Sequence, residues 1–194
     1  MAKIFEIRWH GRGGQGAKTA ALLLAEAASV AGKEIQGFPE YGPERTGAPV
    51  ASFNRISDQP IGIRSAVTHP DVVVVLDPTL IGRVDVTSGL GNGGAIIVNT
   101  NGPASQIRTR LKVDGIRVYT VDANQISLDT LGKAIPNTPM MGALMRVSGI
   151  LDYEDFMLSL RVQLTKKFKG KETIVEGNLR AVERAYQEVQ GDDL

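Results

Sequence analysis

The sequence has no cysteine among its 194 residues. That absence removes disulfides, thiolate zinc sites and the ordinary ligand set of an iron–sulfur cluster. Any electron the protein helps to move must therefore pass through another chain. An excess of charge of one sign is also lacking. Lysine and arginine total 22 against 21 acids, for a formal net charge of +1, so the electrostatic pull that sequence-independent nucleic-acid binding requires is missing and no nucleic-acid partner is expected. Long hydrophobic runs are missing too: no stretch approaches the roughly 18 apolar residues of a membrane span. The start, Met1-Ala2-Lys3-Ile4-Phe5, runs into a strand-like segment without an apolar signal core, so a cytoplasmic location with no membrane partner is expected. His69 stands before Pro70 without a second histidine or carboxylate at ligand spacing, and no metal site is expected.

What is present reads as one domain over residues 1–194, long enough to bury roughly 70% of the surface its unfolded chain exposes. Phe5 to His10 alternates as a strand does, and Ala17 to Ala31 has the spacing and length of a buried helix, closed by Gly32. Glu34 to Phe38 reads as a second strand. Val50 to Ile56 and Ile61 to Ser65 read as two short strands around the turn at Asp58-Gln59-Pro60, paired as a hairpin. In Asp71 to Leu76 the four valines Val72 to Val75 are apolar on both faces, as in a central parallel strand covered by helices on each side. Gly94 to Asn99 and Gly115 to Val121 repeat the pattern, with helical candidates around Thr79 to Ile81, Pro103 to Leu111 and Ala123 to Lys133. From Met140 the period is helical through Leu151, Asp155 to Lys167 and Glu172 to Gln190. The expected fold is α/β: a doubly wound, mostly parallel sheet with a C-terminal helical cap.

Chemistry is most legible in His10-Gly11-Arg12-Gly13-Gly14-Gln15-Gly16, a Gly-x-Gly-x-x-Gly pattern at Gly11, Gly13 and Gly16 between a predicted strand and a predicted helix. Glycine permits positive φ and close backbone approach, and the N–H groups and dipole of the following helix favour an anion such as a phosphate or carboxylate. A tight turn with no ligand gives the same pattern. A nicotinamide site would also need an acid about 20 residues on, at the end of the second strand. That strand ends Gln36-Gly37-Phe38, and Glu40 lies beyond Pro39 in the next loop, which weakens the nicotinamide reading. Arg12 and Gln15 could reach a phosphate, a facing subunit or solvent. His10 is either an acid–base group or a hydrogen-bonded structural histidine.

A second segment, Phe38-Pro39-Glu40-Tyr41-Gly42-Pro43-Glu44-Arg45-Thr46-Gly47-Ala48-Pro49, combines glycine, proline, two aromatics and a Glu-Arg pair. It reads as a shaped loop presenting Glu44 and Arg45 beside the glycine loop, or as a rigid crossover with a surface ion pair. Together with Ile7-Arg8-Trp9-His10-Gly11-Arg12-Gly13-Gly14-Gln15-Gly16, this block closely resembles the gamma subunit of pyruvate:ferredoxin oxidoreductases. The resemblance continues through the Asp71 to Asp77 strand, Ala95 to Thr100 and Ile135-Pro136-Asn137-Thr138-Pro139-Met140-Met141-Gly142-Ala143.

The resemblance implies a heteromeric assembly. Alpha and beta chains bind thiamine diphosphate, beta and a ferredoxin-like delta chain carry 4Fe–4S clusters, and ferredoxin is the acceptor. The implied reaction converts pyruvate and coenzyme A to acetyl-CoA and CO2, and the gamma chain, inactive alone, is expected to hold neither thiamine diphosphate nor a cluster. It also implies coenzyme A handling by the gamma chain, with Gly11, Arg12, Gly13, Gly14, Gln15, Gly16, Glu44 and Arg45 as the binding residues. Arg12 and Arg45 would then contact phosphate or a neighbouring subunit. Other 2-oxoacids remain open as substrates: branched-chain acids, 2-oxoglutarate or indolepyruvate. Two further alternatives are a free-standing NAD(P)-dependent enzyme and a module sensing a nucleotide or an acyl-CoA.

Two other segments have two readings each. Ile135 to Leu151, with three methionines, one arginine and no acid, suits a helix packed on the sheet or on a partner chain. The basic run Lys166-Lys167-Phe168-Lys169-Gly170-Lys171 suits a solvated helix end, or attraction of an acidic ferredoxin or a nucleotide phosphate.

Overall fold

A computed structural model describes residues 3–40 and 47–194. Its framework is a seven-stranded sheet in the order β2-β3-β1-β4-β5-β6-β7, comprising β1 (Phe5–Arg12), β2 (Glu34–Pro39), β3 (Pro49–Ser57), β4 (Val72–Val75), β5 (Ala95–Asn99), β6 (Arg117–Val121) and β7 (Gln190–Gly191). The helices are α1 (Ala17–Val30), α2 (Ala104–Leu111), α3 (Ala123–Leu131), α4 (Asn137–Ser148), α5 (Tyr153–Lys167) and α6 (Glu172–Glu188). A short 3-10 turn spans Pro78–Leu80.

The centre of the sheet is parallel: β1 pairs with β4, β4 with β5, and β5 with β6. The four valines of β4 are all buried, and they divide by parity as successive strand residues must. Val72 and Val74 join the core beneath α1 and the C-terminal helices, while Val73 and Val75 join the core on the other face with Ile107 of α2. Helices therefore cover both faces of a mixed sheet whose core is parallel, in line with the expected doubly wound fold. The C-terminal helices α4, α5 and α6 form a layer on the α1 face, with Met140, Met141 and Met145 inside it. For the segment from Ile135 to Leu151, core packing is thus the reading that holds for its methionines.

The expected hairpin does not form. Residues 61–65 make no strand, and β3 instead pairs antiparallel with β1 from Phe5↔Ile56 to Arg12↔Pro49 and with β2 on its other edge. Phe53 faces Phe38 across the β2–β3 pair, with ring centroids 5.3 Å apart. These long-range pairs give β3 two full hydrogen-bonded edges, which a local turn at Pro60 could not match. Polar anchoring fixes the insertion. Trp9 Nε1 donates to Asn54 Oδ1 at 2.8 Å, and Asn54 Nδ2 donates to Ala21 O at 2.8 Å, so one buried asparagine ties β1, β3 and α1.

Candidate anion site at the glycine loop

The chain leaves β1 to build α1, β2 and β3 on one side, then returns to place β4 on the other side of β1. The crevice beyond the carboxyl ends of β1 and β4 is thus the switch point at which open α/β sheets bind ligands. Gly11 and Arg12 complete β1, and Gly13 to Gly16 make the turn into α1. Gly14 and Gly16 adopt φ of +99° and +84°, a region open to glycine at little steric cost. Gly16 is the N-cap of α1, with no side-chain cap and no acid in the first turn. The N-terminal N–H groups and the positive end of the dipole are therefore not answered by a side chain. A reciprocal pair of bonds, Gly13 N–H to Ala48 O at 2.9 Å and Gly47 N–H to Gly13 O at 3.1 Å, clips the loop to the start of β3.

Arg12 and Gln15 point into the switch point and converge on Asp77 at the end of β4. Arg12 Nε donates to Asp77 Oδ2 at 3.0 Å, Nη2 to Thr79 Oγ1 at 2.8 Å and Nη1 to Gly47 O at 3.0 Å. Gln15 Nε2 donates to the same Asp77 Oδ2 at 2.9 Å, while its Oε1 accepts from Arg12 N–H at 2.8 Å. The other carboxylate oxygen accepts from the N–H and hydroxyl of Thr79. Burial pushes the Asp77 carboxyl up, but the bonds from Thr79 and Gln15 and the charge of Arg12 outweigh it and hold the group below the ordinary carboxylate range. All three guanidinium nitrogens of Arg12 thus have protein acceptors, and the arginine braces the loop. Asp77 and Thr79 did not stand out in the sequence. An acid directly after a buried parallel strand was the available signal.

His10 accepts a hydrogen bond at Nε2 from Arg8 Nε at 3.0 Å, and Arg8 Nη2 donates to Val86 O and Ser88 O. Burial, then the neighbouring Arg8 charge, push the imidazole down to about 4, against a smaller upward pull from Asp85. At neutral pH His10 is an uncharged acceptor, which is the structural alternative for this residue. His69 Nδ1 lies 3.0 Å from the Thr68 hydroxyl. Among the described residues no cluster of three or more histidine or acidic side chains could hold a metal ion. Glu44 and Arg45 lie outside the described residues.

A cavity of about 330 Å³ opens beside the loop, lined by Gly14, Gly16, Lys133, Asn137, Lys167 and Phe168 among others. Leu23, Leu131, Leu164 and Ile174 give it apolar walls. Asn137 at the start of α4 approaches so closely that a Cβ on Gly16 would lie 2.7 Å from its Nδ2. Lys133 and Lys167 are exposed at the rim, so Lys167 of the basic run faces this cavity. The geometry suits a ligand with an anionic part at the loop and lysines and an apolar part against the walls. A dinucleotide of the nicotinamide type fits less well. β3 separates β2 from β1, putting the end of β2 about 10 Å from the strand that carries the loop. Gly37, where the ribose-binding acid is sought, packs so tightly under α1 that a Cβ would lie 2.9 Å from Ala25 Cβ.

The family model for pyruvate ferredoxin/flavodoxin oxidoreductase matches residues 6–188. The chain belongs to that family. Within the pyruvate ferredoxin/flavodoxin oxidoreductase family it is 48% identical to the pyruvate synthase subunit PorC of Thermotoga maritima, over 97% of this chain and 96% of that protein. It is 44% identical to the pyruvate/ketoisovalerate oxidoreductases common subunit gamma of Pyrococcus abyssi, over 96% and 98% respectively. The crystal structure of the Thermotoga maritima PorC protein superposes with a TM-score of 0.86, covering 98% of this chain and 99% of that one. The gamma subunit of a keto/oxoacid ferredoxin oxidoreductase from Geobacter sulfurreducens superposes with a TM-score of 0.76 at 25% identity, covering 96% and 97%. No helix among the described residues is long and apolar enough to cross a membrane.

Proposed function

We propose that this chain is the gamma subunit of a heteromeric pyruvate:ferredoxin oxidoreductase and that its own role is to hold coenzyme A. That role rests on one observation, a glycine loop with an uncapped helix N-terminus that opens into an apolar cavity with Lys133 and Lys167 at its rim. Coenzyme A combines anionic phosphates with apolar and flat parts, and these residues match both kinds of surface. The N–H groups at the start of α1 and the two lysines would take phosphate, and the walls around Leu131 and Phe168 would take the uncharged part. The thiol of coenzyme A supplies the group that receives the acyl unit. Arg12, Gln15, Asp77 and Thr79 keep the loop in the conformation that presents those N–H groups.

In this reading the 2-oxoacid is decarboxylated on alpha and beta subunits carrying thiamine diphosphate, electrons leave through 4Fe–4S clusters on beta and delta to ferredoxin, and the gamma chain is inactive alone. The zero cysteine count supports that division of labour. A second reading is favoured by the Pyrococcus abyssi relative, a common subunit for pyruvate and ketoisovalerate enzymes: here too one gamma chain would serve more than one 2-oxoacid, because the acid pocket belongs to its partners.

Affinity purification of the native protein tests the proposal. Expected are iron-bearing partner chains and coenzyme A-dependent oxidation of pyruvate by the eluted complex, with no activity from the isolated chain. An active homo-oligomer without partners would overturn it.

A further inference from the structure

The face formed by α1 and α5 carries exposed apolar side chains. Val30 is 73% exposed, Leu158 65%, Val162 52% and Leu22 40%, four of the eight large exposed hydrophobics among the described residues. Val30, Leu158 and Val162 line one groove of about 910 Å³ together with Glu26, Asp155 and Lys166. Leu22 lines the adjoining depression, which shares Glu26 and Lys166. The larger groove shares no residue with the cavity of the proposed coenzyme A site, whereas the adjoining depression borders that cavity through Thr19, Leu23 and Lys167.

The charges on α5 have an order that indicates what covers this face. Glu154 and Asp155 occupy its first turn, Lys166 and Lys167 its last. Asp155, Leu158, Val162 and Lys166 are spaced three, four and four residues apart, which places them along one stripe of a helix. The stripe runs acid, apolar, apolar, base over roughly 16 Å at about 1.5 Å per residue. It is its own complement when reversed. Two such stripes laid antiparallel across a two-fold axis near Leu160 put each Asp155 opposite the other copy's Lys166, and each Leu158 beside the other copy's Val162. Among the described residues neither Asp155 nor Lys166 makes an ion pair within its own chain, whereas Arg161 on another side of the same helix pairs with Glu172 and Glu176.

We propose that this face is an interface between two copies of this chain, made by antiparallel pairing of their α5 helices with Val30 and Leu22 of α1 extending the apolar seam. Such an isologous contact is the commonest form of subunit pairing. It would join two oxidoreductase assemblies through their gamma chains without involving the glycine loop.

Sedimentation equilibrium of the full chain, from roughly 1 to 100 µM, reads the pairing directly. A concentration-dependent dimer is expected, and a monomer throughout would overturn the proposal. Leu158→Lys should weaken the dimer at least about tenfold by placing like charges in the seam. Because the position is exposed, the helical circular-dichroism signal and thermal midpoint should stay those of the wild type. A dimer that survives Leu158→Lys would place the interface elsewhere and overturn the proposal. The decisive test uses two charge reversals. Asp155→Lys and Lys166→Glu should each weaken self-pairing, because each variant then opposes like charges twice. Mixed in equal amounts they should form a heterodimer in which both contacts are attractive again. Failure of the mixture to dimerise would overturn the antiparallel arrangement. Loss of alpha or beta chains from the purified complex on Leu158→Lys, with the gamma pairing intact, would instead assign the face to those subunits.

Discussion

Arg12 and Asp77 meet across the gap between the ends of β1 and β4, Nε to Oδ2 at 3.0 Å, and this contact joins the glycine loop to the next parallel strand of the sheet. The pair is largely shielded, with side chains 21% and 12% exposed, and Gln15 and Thr79 complete it. An arginine held this way fixes the backbone of the loop.

Asp77→Asn should therefore act on the loop before it acts on the fold. The substitution removes a charged acceptor from Arg12 and forces one amide N–H toward a donor, and a charge-assisted hydrogen bond is worth roughly 1.5 to 3 kcal/mol. A stability loss of about 1 to 3 kcal/mol is expected in denaturant unfolding of the lone chain. In the assembled enzyme the apparent KM for coenzyme A should rise while that for the 2-oxoacid stays fixed. An unchanged coenzyme A constant would mean that the loop holds its shape without Asp77.

The partly buried imidazole of His10 gives the fold an acid sensitivity whose sign is fixed. Its folded value is lowered from 6.5 to about 4, so below pH 6.5 the unfolded chain binds a proton that the folded chain refuses. Stability associated with this group is complete above 6.5 and falls as the pH drops toward 4. The total is about 3 kcal/mol at about 1.4 kcal/mol per pKa unit. Asp77, also lowered in the fold, adds a loss in the same direction at more acidic pH. His10→Gln should flatten the stability profile between pH 6.5 and 4, as measured by urea midpoints across that range.

Gly14 and Gly16 should respond differently to the same change. Both have positive φ, but a Cβ on Gly14 meets nothing within 4 Å, whereas one on Gly16 would lie 2.7 Å from Asn137 Nδ2. Gly14→Ala should lower stability by only about 1 to 2 kcal/mol, the strain of a left-handed alanine. Gly16→Ala carries that strain and displaces the buried Asn137 as well, for roughly 2 to 4 kcal/mol. Thermal unfolding of the two variants checks the order.

Lys133→Ala and Lys167→Ala should each raise the apparent KM for coenzyme A by roughly three- to tenfold, less than a buried cation would because both lysines sit at an exposed rim. The double variant should lose more than either single one and should show a weaker salt dependence of that constant. Kinetics of the reconstituted complex at two ionic strengths provide the check. The lone chain should unfold as the wild type does, since neither lysine is buried.

Local pattern along the chain was enough to establish several parts of this protein. Alternation and length marked β1, the valine run of β4 could only be a strand covered on both faces, and a glycine cluster between a strand and a helix announced the tight turn into α1. The absence of cysteine removed disulfides and thiolate ligand sets from this chain. Features that depend on partners distant in sequence became visible only in the packed fold. β3 abandoned a nearby hairpin for β1 and β2 because those edges offered a complete set of hydrogen bonds and a seat for Asn54 between Trp9 and α1. Arg12 pairs with Asp77, 65 residues away, a partner that its position inside the motif did not name. Lys133, Asn137 and Lys167 came to line one cavity with the glycine loop only through the packing of α3, α4 and α5 around α1. Periodicity records which face of an element is buried, but it carries no information about which distant side chain will stand opposite. That pairing is set by the packing of whole elements, and the candidate site is made of such pairings.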